Sequence, residues 1–261
     1  MRKVNKAAFT GFILCFTAIV FGIATNGGIE TVINLIHFPS FIVTVGGSVC
    51  AVMMTTDSFT DFWEGVKSFT RAFKKQDMSV YSLADTILEL SELSRREGLL
   101  SLEEQAVRTD DMFLKKGLML VVDGSHPELV KDIMQTEIMK REDANRKNIR
   151  FWQDLGSFAP AWGMVGTLLG LINMMHTMGS DTSRIGAGMS LALITTLYGS
   201  ILANWICIPV AKKLEKSSEE DVLIMEVCTE GILSIQEGEN PRIIKEKIKS
   251  LIELDGKDDA A

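Results

Sequence analysis

The chain has 261 residues, 46 % of them apolar, and a net charge of −7 carried by segments in which both signs are mixed. It is too long for one small domain, and without a basic stripe it offers no nucleic-acid surface, so no nucleic-acid partner is expected. Cys15, Cys50 and Cys207 fall in hydrophobic stretches and Cys228 stands alone. This spacing excludes a disulfide framework or a zinc centre and leaves the cysteines as packing residues.

The apolar residues come in blocks. A bilayer core needs about 20 predominantly apolar residues per helix, and four stretches approach that length without Asp, Glu, Lys or Arg, at roughly 7–24, 38–54, 155–175 and 185–210. The first follows Arg2, Lys3 and Lys6 and so resembles a secretory signal, but its apolar run is long and no small-x-small cleavage site stands out. Lys and Arg collect on the cytoplasmic side of membrane helices. None lies between Thr25 and His37 and only Arg184 lies between the third and fourth stretches, whereas fifteen lie between Thr55 and Asp154 and eight follow Ala211. The expectation is an all-α polytopic membrane protein with four transmembrane helices, helical cytoplasmic extensions and both termini in the cytoplasm. Its parts are 1–54 (first two spans), 55–154 (cytoplasmic helices), 155–210 (last two spans) and 211–261 (cytoplasmic tail).

In the cytoplasmic part Leu83, Ile87, Leu90 and Leu93 recur at helical spacing until Gly98. Ser101 reads as the N-cap of a second helix with Glu103 and Glu104 in its first turn, and Asp123-Gly124 as a turn. Pro127 starts a long helix whose apolar face is marked by Leu129, Ile133, Met134 and Ile138, and no breaker precedes Phe151, so helix is expected to run on into the third span. In the tail, Lys212 to Lys216 extend the fourth helix, and 222–235 and 243–254 read as amphipathic pieces.

An ionisable residue inside a span is a functional site by default, and these spans contain none. There is no Gly-rich phosphate loop and no metal-spaced His pair; His37 and His176 are expected to be ordinary residues of the outer interface. The third and fourth spans carry instead many small and polar residues, which read equally as tight helix packing or as an ion path. At 1.5 Å per residue Thr167 lies about 18 Å from Leu155 and Thr196 about 15 Å from Gly186, so both hydroxyls fall near the bilayer middle. Pro160 and Pro209 remove backbone hydrogen bonds and are expected to free the carbonyls of Gly156 and Trp205, either as ligands or only to shape the helices. Such a path lacks fixed negative charge, so a partner helix must bring an acid to the level of the two threonines.

These residues resemble the flagellar stator proteins of the MotA/PomA family, within the wider group of TolQ and ExbB energisers. The resemblance covers nearly the whole chain: four spans, the segment Ser94-Arg95-Arg96-Glu97-Gly98-Leu99-Leu100-Ser101-Leu102-Glu103, Pro160 through Gly170, and Thr195 through Pro209. It implies an inner-membrane, non-enzymatic stator subunit without cofactor, five copies around two MotB partners whose single span supplies an aspartate. Together they would pass H+ or Na+ and push the rotor protein FliG. It also implies that Arg95 and Glu103 contact the rotor, that Pro160 and Pro209 couple, and that Thr196 lines the channel. Thr167, in Gly163-Met164-Val165-Gly166-Thr167-Leu168-Leu169-Gly170, is similar to the sodium-driven type. Competing readings are an ExbB/TolQ-type envelope energiser, a self-contained ion transporter and a structural scaffold.

Overall fold

The structure, a computed structural model, describes residues 6–74, 79–177 and 183–258. Every regular element among the described residues is helical, and the chain divides into two compact units, Met1–Lys75 with Arg146–Glu215 and Gln76–Asn145 with Lys216–Ala261.

The first unit contains α1 (Lys6–Asn34), α2 (Phe38–Phe41), a π-helical turn (Ile42–Gly46), α3 (Gly47–Thr55) and α4 (Phe59–Ala72). It also holds part of α8 (Pro127–Thr177), then α9 (Ser183–Ile201), a second π-helical turn (Leu202–Cys207) and the start of α10 (Ile208–Gln236). α1 does not stop near residue 24; it runs through Asn26-Gly27-Gly28 to Asn34. A helix satisfies its own backbone groups in apolar surroundings, which outweighs a cost of about 1 kcal/mol for each interior glycine. His37 is half-buried rather than an ordinary surface residue: its Nδ1 accepts from the Ser40 N–H at 3.3 Å and caps α2. Tyr198 closes the break before α2, its hydroxyl accepting from the His37 N–H at 3.2 Å and donating to the Leu35 carbonyl.

The core of this unit is Val52, Ala72, Ile149, Phe151, Trp152 and Leu155 with Cys207, Val210 and Leu214. α4 lays one face on it because Gly65 has no side chain; an added Cβ would sit 2.6 Å from the Phe151 ring. The Trp152 indole N–H donates to Ser68 Oγ at 2.9 Å, so the buried polar pair satisfies itself. α8 is one helix of 51 residues that continues through the charged stretch, as its lack of breakers implies, with Pro160 inside it.

The second unit contains α5 (Val80–Glu97), a 3-10 turn (Leu99–Ser101), α6 (Leu102–Arg108), α7 (Met112–Val122), the start of α8, the rest of α10 and α11 (Pro241–Asp258). Gly98 ends α5 with φ +87° and Gly124 makes the turn before α8 with φ +72°. Ser101 is not a side-chain cap; its hydroxyl donates to the Gly98 carbonyl at 2.7 Å within the 3-10 turn. The stretch from Ser101 to Asp123 is two helices, since Asp111 Oδ1 accepts from the N–H groups of Phe113 (2.8 Å) and Leu114 (3.1 Å) and starts α7 anew. On α8 Met134 and Ile138 are buried as the sequence face implies and Ile133 is half-buried, while at the start of the row Val130 is buried in place of the exposed Leu129. Val130 and Met134 join Leu83, Ile87, Leu118, Ile232 and Ile244 in the core. Cys228 is buried there, and burial pushes its thiol up, which keeps it a neutral packing group. Of the other cysteines only Cys207 packs inside the chain; Cys15 and Cys50 are exposed.

Three helical segments are long and apolar enough to cross a membrane, Phe38–Thr55 and windows within Pro127–His176 and Ile185–Gln236. In α1 the described apolar stretch, Thr10–Ile23, is shorter.

Ile87 is fully buried at the centre of the second core. Ile87→Ala is therefore expected to cost about 2–5 kcal/mol, read as a lowered midpoint in thermal unfolding of the purified chain. The exposed neighbour Leu100 should tolerate the same change within about 0.5 kcal/mol.

Candidate functional site

The third and fourth predicted spans meet through glycine. An ideal Cβ on Gly163 would lie 3.1 Å from the Thr195 carbonyl oxygen and 3.4 Å from Thr196 Cα. On Gly166 it would lie 2.5 Å from Thr195 Cβ, on Gly170 2.6 Å from the Gly188 oxygen, and on Gly199 2.5 Å from the Ala159 oxygen. The backbones of α8 and α9 thus touch over several turns, the close approach that drives helix association where lipid is as apolar as leucine.

This contact sets Thr196 one helical turn from Thr167. Gly163, against which Thr196 Cα packs, is also a residue to which the Thr167 hydroxyl bonds back at 3.3 Å; Thr167 donates to the Met164 carbonyl as well, at 2.6 Å. Thr196 is exposed, and its hydroxyl donates to the Ala192 carbonyl at 3.2 Å. A hydroxyl whose proton is committed to its own helix still carries oxygen lone pairs that can face a cation.

Pro160 and Pro209 are both exposed. Pro160 lies beside Gly199, whose ideal Cβ would come within 3.2 Å of Pro160 Cα. Pro209 follows the second π-helical turn, in which the Ile208 N–H reaches the Ala203 carbonyl five residues back. Pro209 itself lies in α10, where four-residue spacing would have aimed the amide it lacks at the Trp205 carbonyl. The Trp205 side chain is engaged elsewhere, since its indole stacks on Phe12 at 4.6 Å and donates to the Phe12 carbonyl at 3.2 Å, tying α1 to this segment.

The neighbours of the threonines were not read from sequence. Thr195 is fully buried, donates to the carbonyls of Leu191 (3.0 Å) and Ala192 (2.9 Å), and accepts on its own carbonyl from the Thr44 hydroxyl at 3.3 Å. Thr44 stands in the first π-helical turn between Ser40 and Ser48, and all three are fully buried. Their spacing of four in an otherwise apolar run was the available signal.

In the second unit Arg95 is exposed in the last turn of α5 and Glu103 is exposed in the first turn of α6. Glu103 lines an open groove with Leu93, Glu97 and Leu100 that does not include Arg95. Their neighbours Arg96 and Arg108 pair with Glu92 (3.0 Å) and Glu104 (2.5 Å) on their own helices, whereas no ion pair to Arg95 or Glu103 occurs among the described residues. Among the described residues no group of three His, Cys, Asp or Glu is placed to hold a metal.

The glycine contact can be tested by contrast. Gly166→Leu must push against Thr195 and is expected to cost about 1–3 kcal/mol, whereas nothing lies within 4 Å of a Cβ at Gly186. Thermal unfolding in detergent should show a lower midpoint for Gly166→Leu and a nearly unchanged one for Gly186→Leu.

Comparison with known proteins gives concordant matches. Residues 105–227 match the model of the MotA/TolQ/ExbB proton channel family. The chain is 38 % identical over 248 residues to the uncharacterised protein YtxD of Bacillus subtilis (strain 168), covering 95 % of this chain and 90 % of that one. It is 37 % identical over 256 residues to motility protein A of Treponema phagedenis, covering 98 % and 96 %. Among solved structures, C. jejuni MotAB superposes with a TM-score of 0.86 at 27 % identity over 95 % of both chains. The chain therefore belongs to the MotA/PomA family of motility proteins, within the MotA/TolQ/ExbB proton channel family.

Proposed function

We propose that the chain is a flagellar motor stator subunit that forms an ion channel with a MotB-like partner and converts ion-motive force into torque. The observation that carries this reading is the placement of Thr167 and Thr196, within about a helical turn of each other, on a glycine-packed helix pair, with hydroxyl protons turned back onto their own helices and no acid in either span. A cation in such surroundings needs a carboxylate, because a path lined only by neutral oxygens leaves its charge uncompensated at membrane depth. A single-span partner bearing an aspartate supplies it. The relative named motility protein A and the structure named MotAB support the same reading.

In this reading the chain crosses the inner membrane four times. The 29 residues of α1 reach about 43 Å, enough for the first crossing. Both termini are cytoplasmic, five copies surround two partner chains, and no cofactor takes part beyond the transported ion. The exposed Arg95 and Glu103, without ion pairs among the described residues, meet charges on the rotor protein FliG. Thr167 supplies an additional oxygen within about a helical turn of Thr196, which favours sodium over protons as the driving ion, since sodium is held by several oxygens at once. Pro160 and Pro209 shape the path beside it. An ExbB/TolQ-type energiser shares the channel core but not the Arg95-to-Glu103 segment, and the relative motility protein A aligns along 98 % of this chain, that segment included.

Thr196→Ala is expected to reduce swimming while the complex with the partner still co-purifies; unchanged swimming would remove Thr196 from the path. Swimming speed at constant pH should rise with sodium concentration, and insensitivity to sodium would assign the drive to protons. Arg95→Asp should weaken torque without stopping ion flow and should be partly repaired by a reversed charge on the rotor. Failure to assemble would instead make Arg95 structural.

A further inference from the structure

The face of α9 that carries Thr196 changes character at that residue. Toward the start of α9 its exposed positions are Met189 and Leu193. In the other direction they are Thr196, Ser200 and Asn204, and beyond the second π-helical turn Pro209. Steps of four keep 196, 200 and 204 on one face of the helix. The step from Asn204 to Pro209 is five, and the wider π turn at Leu202–Cys207 takes up the additional residue, so that Pro209 stays on that face.

The polar groups of this row are not used up inside the chain. Asn204 donates Nδ2 to the Ser200 carbonyl at 3.0 Å, which fixes the amide and leaves Oδ1 with no donor among the described residues. The Ser200 hydroxyl makes no hydrogen bond among the described residues. Two side-chain oxygens one turn apart, each lacking a partner among the described residues, would cost several kcal/mol apiece against hydrocarbon, so this face must meet water, an ion or a polar partner. The side chains of Met189 and Leu193 have no such need. Lys212 and Lys213 follow Pro209 closely and mark that end as cytoplasmic by the positive-inside rule.

We infer that Ser200 and Asn204 are cation ligands on the cytoplasmic, release side of the path, passing the ion from Thr196 toward the Pro209 end, while Met189 and Leu193 form a dry collar on the opposite side. The inference rests on the stator reading and extends it to two residues. Hydroxyl and amide oxygens are hard, neutral donors: they replace part of the hydration shell of a hard cation without holding it as a carboxylate would. A release site must be of this weak kind, because an ion bound too well does not leave.

The test uses the full chain co-produced with its companion subunit, and reads uptake of the ion that sustains swimming together with the amount of companion that co-purifies. Ser200→Ala and Asn204→Leu are each expected to lower uptake about five- to tenfold with assembly unchanged, and Ser200→Thr, which keeps the hydroxyl, to retain it. Unchanged uptake in Ser200→Ala and Asn204→Leu beside a lowered uptake in Thr196→Ala would overturn this inference and leave the stator reading standing. Unchanged uptake in all three would overturn both. Should Asn204→Leu fail to assemble, accessibility decides. Ser200→Cys and Met189→Cys are introduced separately into a chain carrying Cys15→Ser and Cys50→Ser, and inverted vesicles are treated with a charged, membrane-impermeant thiol reagent. Labelling at position 200 but not at 189 supports the path, and no labelling at 200 places that face in lipid and ends the proposal.

Discussion

Two helices in a bilayer gain nothing by hiding apolar side chains from each other, so everything in the first unit depends on how closely α8 and α9 can bring their backbones together. Gly163, Gly166 and Gly170 on one helix and Gly188 and Gly199 on the other allow that approach, and a methyl group at any of them meets a neighbour at 3.1 Å or less. The contact fixes the level of the threonines. It also explains why Thr195 is buried while Thr196 is exposed: adjacent residues on a helix point about 100° apart, and only the first faces the glycines. The Thr44 hydroxyl on the Thr195 carbonyl ties a third helical segment to the same place.

The chemistry that follows is one of incomplete equipment. Serine and threonine hydroxyls satisfied by their own helices are cheap to bury and present oxygen, but none carries charge. A channel wall of this kind is permissive for cations and cannot by itself set when they move. On the stator reading proposed above, the titrating group belongs to another polypeptide and this one supplies the geometry around it. The second unit is built differently, from amphipathic helices around Leu83, Ile87, Met134 and Ile232, with rim charges that pair along their own helices, as Arg96 does with Glu92, and between helices, as Lys116 does with Glu137.

Much of this was legible in the sequence because hydrophobic blocks and period-four apolar rows are one-dimensional signals. The uninterrupted α8, the turn at Gly124 and the stop at Gly98 belong to that class. Three kinds of feature were not. Whether Leu129 or Val130 faces inward depends on a rotation of one position that neighbouring packing decides. The split between α6 and α7 turned on the cap made by Asp111, one acid among many in a charged stretch. The π-helical turns at Ile42–Gly46 and Leu202–Cys207 have no compositional mark, so the change of helical pitch just before Pro209 was not expected. In the candidate site the threonines and prolines were visible as residue types, whereas Thr195, Thr44 and the Ser40–Ser48 row were hidden by their burial, which only contacts reveal.

The wide turn at Leu202–Cys207 also has a meaning for how chain length evolves. It holds one residue more than an α-helical turn of the same rise, so this segment is a place where the polypeptide can lose or regain a single residue without sliding Tyr198 and Gly199 away from their partners upstream. A one-residue gap between homologous chains at this point is then a change of helical pitch, not a change of register, and an alignment that moves the gap elsewhere would mispair every residue between the two positions.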